Sequence, residues 1–584
     1  MTPARPPTPA ERVVWLLVTL AIGCAYLIPA PYSEMLNNPN ENVRVYMTRA
    51  IVEYRTFAID EIVRQWGYVN DKATAHGNLY PGKAPGTSFL AVPGWAVGRW
   101  LHALLDIPVT KRAIVEWCRL TATTIPVLLF LAMFARQTRR VTDSHALRAL
   151  ATLMLGVGSS LLCYGGLAAS HATAAAAIFG GWLASLEHRD APSRWSAPLL
   201  AGFLFGWSIS LEYPAALGAG VAWVLAVTKS PQRARWIVGT VVGSLPPLAL
   251  MGIYHWVAFG APWSLPYSHL ENPQFAAYVS GGFFGLKVLK SNAFMGSFFA
   301  PATGLFWFVP WTVAAIAALP LAIQNPRLRE TALLTLATFV VYAIFISMVR
   351  DWRGGWGAGP RYIVPVLPVL AWSLLATLDA IPRGAWRRAA ALGIAGLTLA
   401  AMVNCGISAA FFPHYPLESA NPIAEIGFLL PTIGLWPYTR LGYLGVDAPT
   451  ALGVAALVCF AAWLAIVTAL GSGRSVLQNA ASSLSVLAAA ALVVGTQSLV
   501  ETPDARDLDI ARSVVAEVWQ PRPTAAQQTI RGGRMPDCVL ARTCTQTDWA
   551  DTARAAAALK ADRTALLLWL EAFEAEGSGA ADPR

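Results

Sequence analysis

The feature that most constrains this chain is its punctuation. Long apolar runs recur from "VVWLLVTLAIGCAYLIPA" near the N-terminus to "SVLAAAALVVG" near residue 490, and short basic clusters stand between them. A bilayer core is about 30 Å thick and takes about 20 apolar residues per helix. Lys and Arg concentrated in the short loops then orient the helices, basic ends to the cytoplasm. The chain has 584 residues, of which 55% are hydrophobic and 13% charged, with 23 tryptophans. That composition excludes a soluble multidomain protein, and the expected fold class is an all-α polytopic membrane protein. The net charge of +10 does not indicate nucleic acid, because the cations sit between apolar runs. The first run lacks a small-residue cleavage site and is read as a retained helix rather than a signal peptide.

The basic clusters serve as a topology ruler. Arg5 and Arg12, Arg136 to Arg148, Arg189 with Arg194, Lys229 to Arg235, Arg327 with Arg329, Arg383 to Arg388, and Arg474 are read as cytoplasmic. Segments 31–85, 259–302, 350–362 and 412–448 then fall on the opposite face, as does everything after about residue 500. Runs 86–104 and 114–135 cannot both cross without bringing Arg136, Arg139 and Arg140 out on the wrong side. The first, with Pro93 and its glycines, is expected to lie at the interface or dip in, leaving Lys111 and Arg112 external. The count comes to about 13 transmembrane helices. The expected layout is a transmembrane domain over 1–500, with a large external first loop at 31–85, and a small, mostly helical external tail over 501–584. In a bacterium this is an inner-membrane protein with a cytoplasmic N-terminus and a periplasmic tail.

Cys24, Cys118, Cys163, Cys405 and Cys459 lie in or beside apolar segments, as buried small hydrophobes do. Cys538 and Cys544 lie in the polar tail, where a disulfide and free thiols are both open readings. No second cysteine pair suggests zinc, and neither a phosphate-binding loop nor a dinucleotide fingerprint is present. No His/Asp cluster announces a metal, although a divalent ion remains open.

The first loop carries the chemistry. Val43, Met47, Ile51 and Tyr54 recur at helical spacing with Arg44, Arg49 and Arg55 between them, which predicts an amphipathic helix lying on the membrane. Glu41, Asp60, Glu61 and Asp71 fall at its ends and beyond; most such charges are a solvated face. Glu41, a turn from Arg44, is singled out as a general base. Lys83 lies in "GNLYPGKAPG", whose glycines and prolines fix a turn just before an apolar run. Its alternative is a snorkelling lysine at a helix boundary. Farther on, Arg361 follows the glycine-rich "GGWGAG", which lets backbone approach an anion, and its planar fork suits phosphate. His171, and Glu212 before Tyr213 and Pro214, fall near external helix ends, where ionisable groups are functional candidates. A satisfied helix-end histidine and a structural helix break are the competing readings.

These stretches resemble polyprenyl-phosphate-dependent glycosyltransferases of the C superfamily. The nearest branch is the family 39-like proteins, related to protein O-mannosyltransferases and lipid A aminoarabinose transferases. "ENVRVY" and "NLYPGKAPG" carry the likeness, supported by "SHATAAAAIFG", "LEYPAALGAG", "VAFGAPWSLPY", "GLFWFVP" and "GGWGAGPRYIVPVLP". In that pattern Glu41 falls where the catalytic aspartate stands, a Glu where relatives often have Asp, with Arg44 at the arginine and Lys83 at the phosphate-binding lysine. Asn42 and Gly82 stand where acidic residues are common, and Asp60 is the second candidate base.

The resemblance implies a sugar on a polyprenyl phosphate as donor, transferred externally with inversion to an acceptor glycan, lipid or protein. Lys83, Arg44 and Arg361 would hold the departing phosphate; Tyr80, Tyr213 and Tyr362 join His171 and Glu212 as substrate-site candidates. The alternatives are a flippase or transporter for a lipid-linked sugar and a non-catalytic assembly subunit. Nothing in the sequence requires more than a monomer.

Overall fold

The computed structural model describes residues 7–32, 39–67, 69–280, 285–417, 419–432, 434–471 and 476–496. The C-terminal tail, with Cys538 and Cys544, lies outside the described residues. The described chain is predominantly helical, and seven of its helices are long and apolar enough to cross a membrane. They are α1 (Pro9–Leu27), Lys111–Arg140, Arg233–Phe259, Arg329–Met348, Arg361–Ala380, Ala385–Ala410 and Ala448–Leu470. Shorter apolar helices, Ser196–Leu211 and Ala215–Lys229 among them, accompany these. By length and composition the described residues thus supply seven spans, against the roughly 13 expected from the basic clusters.

α1 starts where its sequence says it should. Thr8 accepts from the Glu11 amide and the Glu11 side chain accepts from Thr8, a capping box that satisfies two end groups, with Pro9 at the first helical position. Its other end closes on a distant segment. Arg440 donates to the carbonyls of Tyr26, Leu27 and Pro29 at 3.0–3.1 Å and pairs with Glu116 at 2.7 Å. Carbonyls at a helix end need such partners. Arg112, 3.8 Å from the Tyr438 ring centroid and 4.6 Å from that of Tyr443, completes the clasp.

The first loop folds as α2 (Pro39–Arg49), continued by a π-helical turn to Tyr54, then α3 (Asp60–Trp66) and a hairpin of β1 (Lys72–Ala75) and β2 (Asn78–Pro81). The helix predicted over 43–54 is present but does not lie on a surface. Residues 41–48 are buried on every side, Glu41 and Arg44 along with Val43, Val45 and Met47. The polar face can be buried because both of its charges find partners.

α4 (Gly86–Leu104) runs antiparallel to the start of α5 (Lys111–Arg140), with Gly94 against Thr121 and Gly98 against Trp117; a Cβ at either glycine would collide. Lys111 stands 5.3 Å from the Trp66 ring centroid, and Gly86 touches the backbone of Ser210 and Leu211. Both ends of α4 therefore stay beside the first loop and the site.

Farther along the chain come α6 (Ser170–Asp190), α7 (Ser196–Leu211), α8 (Ala215–Lys229), α9 (Pro273–Val279), α10 (Arg329–Met348) and α11 (Arg361–Ala380). At one end of the bundle Arg140 pairs with Asp190 at 2.6 Å, Arg189 with Glu330 at 2.7 Å, and Thr142 donates to Asp379 at 2.6 Å. Clusters far apart in sequence, all assigned to one face by charge, are in direct contact there.

Candidate active site

The hairpin explains Lys83. His76 and Gly77 both have positive φ, 51° and 78°, and link Ala75 to Asn78 as a two-residue turn. Two successive positive φ values match the twist of a tight hairpin. Register then pairs Lys72 with Pro81, and the Gly82 amide donates to the Asp71 carbonyl at 2.9 Å. The next side chain, Lys83, meets Asp71 with Nζ 3.0 Å from the carboxylate. Gly82 is obligatory at this crossing: a Cβ would lie 2.8 Å from the Asp71 carbonyl oxygen. Pro85 then caps α4, so the lysine is held between two rigid elements.

Asp71 and Lys83 open onto a cavity of about 820 Å³. Glu212, Tyr213, Tyr267, Arg350, Asp351 and Arg361 also line it, and Leu217 of α8, Phe275 of α9, Phe345 of α10, Leu286 and Val349 add an apolar part to its wall. Lys83 Nζ is 5.9 Å from the Tyr267 ring centroid. Burial pushes the phenols of Tyr213 and Tyr267 well above their usual range, which keeps them neutral donors. Tyr213 bonds His255 at 2.8 Å.

Behind the wall lies a buried charge cluster. Arg44 is held by the Asn40 carbonyl at 2.8 Å and Ser170 at 2.9 Å, and contacts Glu212 at 3.3 Å. Ser170 in turn donates to Glu212, and His171 Nδ1 is 4.0 Å from the same carboxylate. His171 itself is wedged edge-on between the Tyr164 and Tyr362 rings. Arg361 lies across Gly354, which has φ of 71°; a Cβ there would stand 2.5 Å from Arg361 Nε. That Nε is buried and has no hydrogen-bond partner among the described residues. A buried guanidinium donor without an acceptor, at the edge of a cavity, is suited to an incoming anion.

Of the residues singled out from sequence, Lys83, Arg361, Glu212, Tyr213 and Tyr362 line the cavity. Arg44 and His171 form the layer behind it. Tyr80 does not reach it: it is buried against Phe259, 5.7 Å between ring centroids. Glu41 and Asp60, the two proposed bases, are also off the wall. Arg119 donates to Glu41 through Nε at 2.7 Å and Nη2 at 2.9 Å, and the Ala168 amide adds a third bond at 2.7 Å. Burial alone would push the Glu41 carboxyl up, but the Arg119 charge and these bonds outweigh it and hold it low. Asp60 accepts the Leu79 amide at 3.1 and 3.2 Å, joining α3 to β2. Both carboxylates hold the loop together.

Asp71 is the residue that sequence reading passed over. It was one of four loop carboxylates, and the His76-Gly77 turn fixes the register that brings it to Lys83. Tyr267 and Arg119 carry no comparable local signal. Among the described residues no group of three His, Cys, Asp or Glu side chains could hold a metal ion.

No protein-family model matches the chain, and no curated protein matches it. Among solved structures it is similar to ArnT from Cupriavidus metallidurans in the apo state, at 16% identity over 84% of this chain and 76% of that one, TM-score 0.43. The same ArnT bound to undecaprenyl phosphate gives 16% identity, 84% and 74% coverage, TM-score 0.40. The Archaeoglobus fulgidus oligosaccharyltransferase in its apo form gives 11% identity, 70% and 57% coverage, TM-score 0.40. At TM-scores this low the likeness carries no weight for the chemistry of the present site.

Proposed function

We propose that the chain is an integral membrane glycosyltransferase that moves a sugar from a polyprenyl-phosphate donor to an acceptor hydroxyl or amine on the external face. The observation that carries this reading is the mixed lining of one cavity. Lys83 and Arg361, whose Nε has no hydrogen-bond partner among the described residues, line it together with apolar side chains of α8 and α10. A lipid phosphate bearing a sugar combines the same two characters.

The reaction is a single displacement. The bond between the anomeric carbon and the phosphate oxygen breaks while the acceptor oxygen or nitrogen bonds to that carbon from the opposite face, inverting its configuration. Negative charge grows on the phosphate, and Lys83 and Arg361 stabilise it in a low-dielectric pocket, where such stabilisation is commonly the largest catalytic contribution. The acceptor proton goes to Asp71. Its ion-pair partner is Lys83, which the donor phosphate draws away, leaving the carboxylate able to accept a proton once the donor is bound. Glu212, held by Ser170 and Arg44, orients the floor of the site. Glu41 keeps α2 in position.

The contact between Lys111 and Trp66 supports the reading that α4 does not cross the membrane. The seven long spans, the shorter apolar helices Ser196–Leu211, Ala215–Lys229, Trp311–Gln324 and Ser482–Thr496, and the helices His145–Gly156 and Ser170–Asp190 would together give the roughly 13 crossings. The N-terminus and basic clusters face the cytoplasm, and the cavity opens externally.

The test is turnover of the purified full chain in lipid nanodiscs with a panel of polyprenyl-phosphate sugars. Wild type releases polyprenyl phosphate, Lys83→Ala weakens donor binding, and Asp71→Asn binds donor but turns over about 10²-fold or more slower. Full activity in Asp71→Asn together with an inactive Glu212→Gln moves the base to Glu212. Donor binding without release across the panel replaces the enzyme with a lipid-linked sugar transporter or assembly subunit.

A further inference from the structure

The loop after the cavity's apolar wall carries two bare apolar side chains between two lysines. Val288 is 81% exposed and Leu289 61% exposed, in the order Lys287, Val288, Leu289, Lys290. Water-facing apolar residues of this size are ordinary singly, but these continue into Phe294, Met295 and Phe299, also exposed, on and just after the Ser291–Phe298 helix. Among the described residues neither lysine has an ion-pair partner.

The depth of this patch is fixed by its backbone. The Lys287 amide donates to the Met348 carbonyl at 3.2 Å, the Lys290 amide to the Ser347 carbonyl at 2.8 Å, and Leu286 bridges to Val349. The loop is therefore pinned to the last turn of α10. α10 has 20 residues and is apolar throughout its interior, so it is about 30 Å long, the thickness of a hydrocarbon core. Its first turn stands among the paired charges Arg189 and Glu330. Its last turn, with the pinned loop, accordingly lies at the other headgroup layer.

We propose that residues 286–290, with the exposed face of the Ser291–Phe298 helix, form a wedge seated in the lipid headgroup layer on the cavity's side of the membrane. Val288 and Leu289 enter the acyl boundary, and Lys287 and Lys290 contact lipid phosphates. Apolar residues flanked by lysines match that layer in both polarity and charge. Leu286 and Val349 line the cavity as well, so the wedge holds the cavity mouth at headgroup depth. The proposal rests on α10 crossing the membrane and is independent of the transferase reading.

The test uses the full chain with a nitroxide spin label on Val288→Cys, the signal of the labelled unsubstituted protein being subtracted. Collision with oxygen and with a water-soluble nickel chelate is measured in nanodiscs of phosphatidylcholine and of phosphatidylcholine mixed with phosphatidylglycerol. The expected result is more collision with oxygen than with nickel, a contrast that grows with phosphatidylglycerol, and loss of that growth in the Lys287→Glu, Lys290→Glu variant. Collision dominated by nickel in both lipids overturns the proposal and leaves the patch facing water, where a protein partner would seat. Insertion indifferent to anionic lipid and to charge reversal overturns the phosphate contacts.

Discussion

With Arg119 and the Ala168 amide closing on it, the Glu41 carboxylate has three of its roughly four acceptor positions filled. Glu41→Gln leaves the buried Arg119 guanidinium with Glu116, 3.6 Å away, as its remaining charge partner. Breaking a buried pair in this way costs about 3–5 kcal/mol, so denaturation of the reconstituted variant should show a large loss of stability. Donor binding per folded molecule should stay near wild type. His414 sits in the same cluster, and burial, with help from Arg119 and Arg361 and against Glu41, pushes it down to about 4. Unfolded histidine titrates near 6.5, so between those values the unfolded chain takes up a proton that the folded one refuses. Stability should therefore fall as pH drops from about 6.5 toward 4, and further below about 4.3 as Glu41, held low when folded, is protonated. His414→Gln should make the first decline shallower in a pH series of thermal unfolding and keep the second, since His269 is also held low by burial. The motif around Glu41 was legible in sequence. Its partner was not, because Arg119 lies 78 residues away and no local pattern ties the two together.

Two glycines set the geometry of whole elements. Gly82→Ala drives a Cβ against the Asp71 carbonyl and the Leu270 side chain. It should open the base of the β1–β2 hairpin and separate Lys83 from Asp71. Gly354→Ala places a Cβ against Arg361 at a φ that L residues resist. Each is expected to weaken binding of a polyprenyl-phosphate probe by about tenfold or more while leaving the helical circular dichroism unchanged, since about 1–3 kcal/mol of backbone strain falls on the site alone. Secondary structure in this loop was partly legible. The helical period of 43–54 appears as α2, and its burial was hidden because the partners of its polar face come from α5 and from the α7–α8 junction. The hairpin was written locally in His76-Gly77, yet it is short and flanked by the stronger helix signals.

Across the whole molecule, charge was the most readable quantity. Arg140 with Asp190 and Arg189 with Glu330 join basic clusters that the sequence could only assign to one face by counting. Cysteines introduced at Asp106, just beyond α4, and at Arg194 should accordingly react with a membrane-impermeant thiol reagent from opposite sides of sealed proteoliposomes. Labelling of both from one side would put α4 across the bilayer after all. What counting could not reach were the contacts between distant segments, because apolar helices carry little information about which neighbour they choose.

The clasp at the end of α1 has a consequence for how the chain is made. The carbonyl of Tyr26 waits for Arg440, 414 positions later. A ribosome emits the first loop long before the residue that closes it. Every nascent chain must therefore pass through a stage in which most of its helices are inserted and its first loop is still unclasped, and a chaperone or protease acting on this protein would find its opening there.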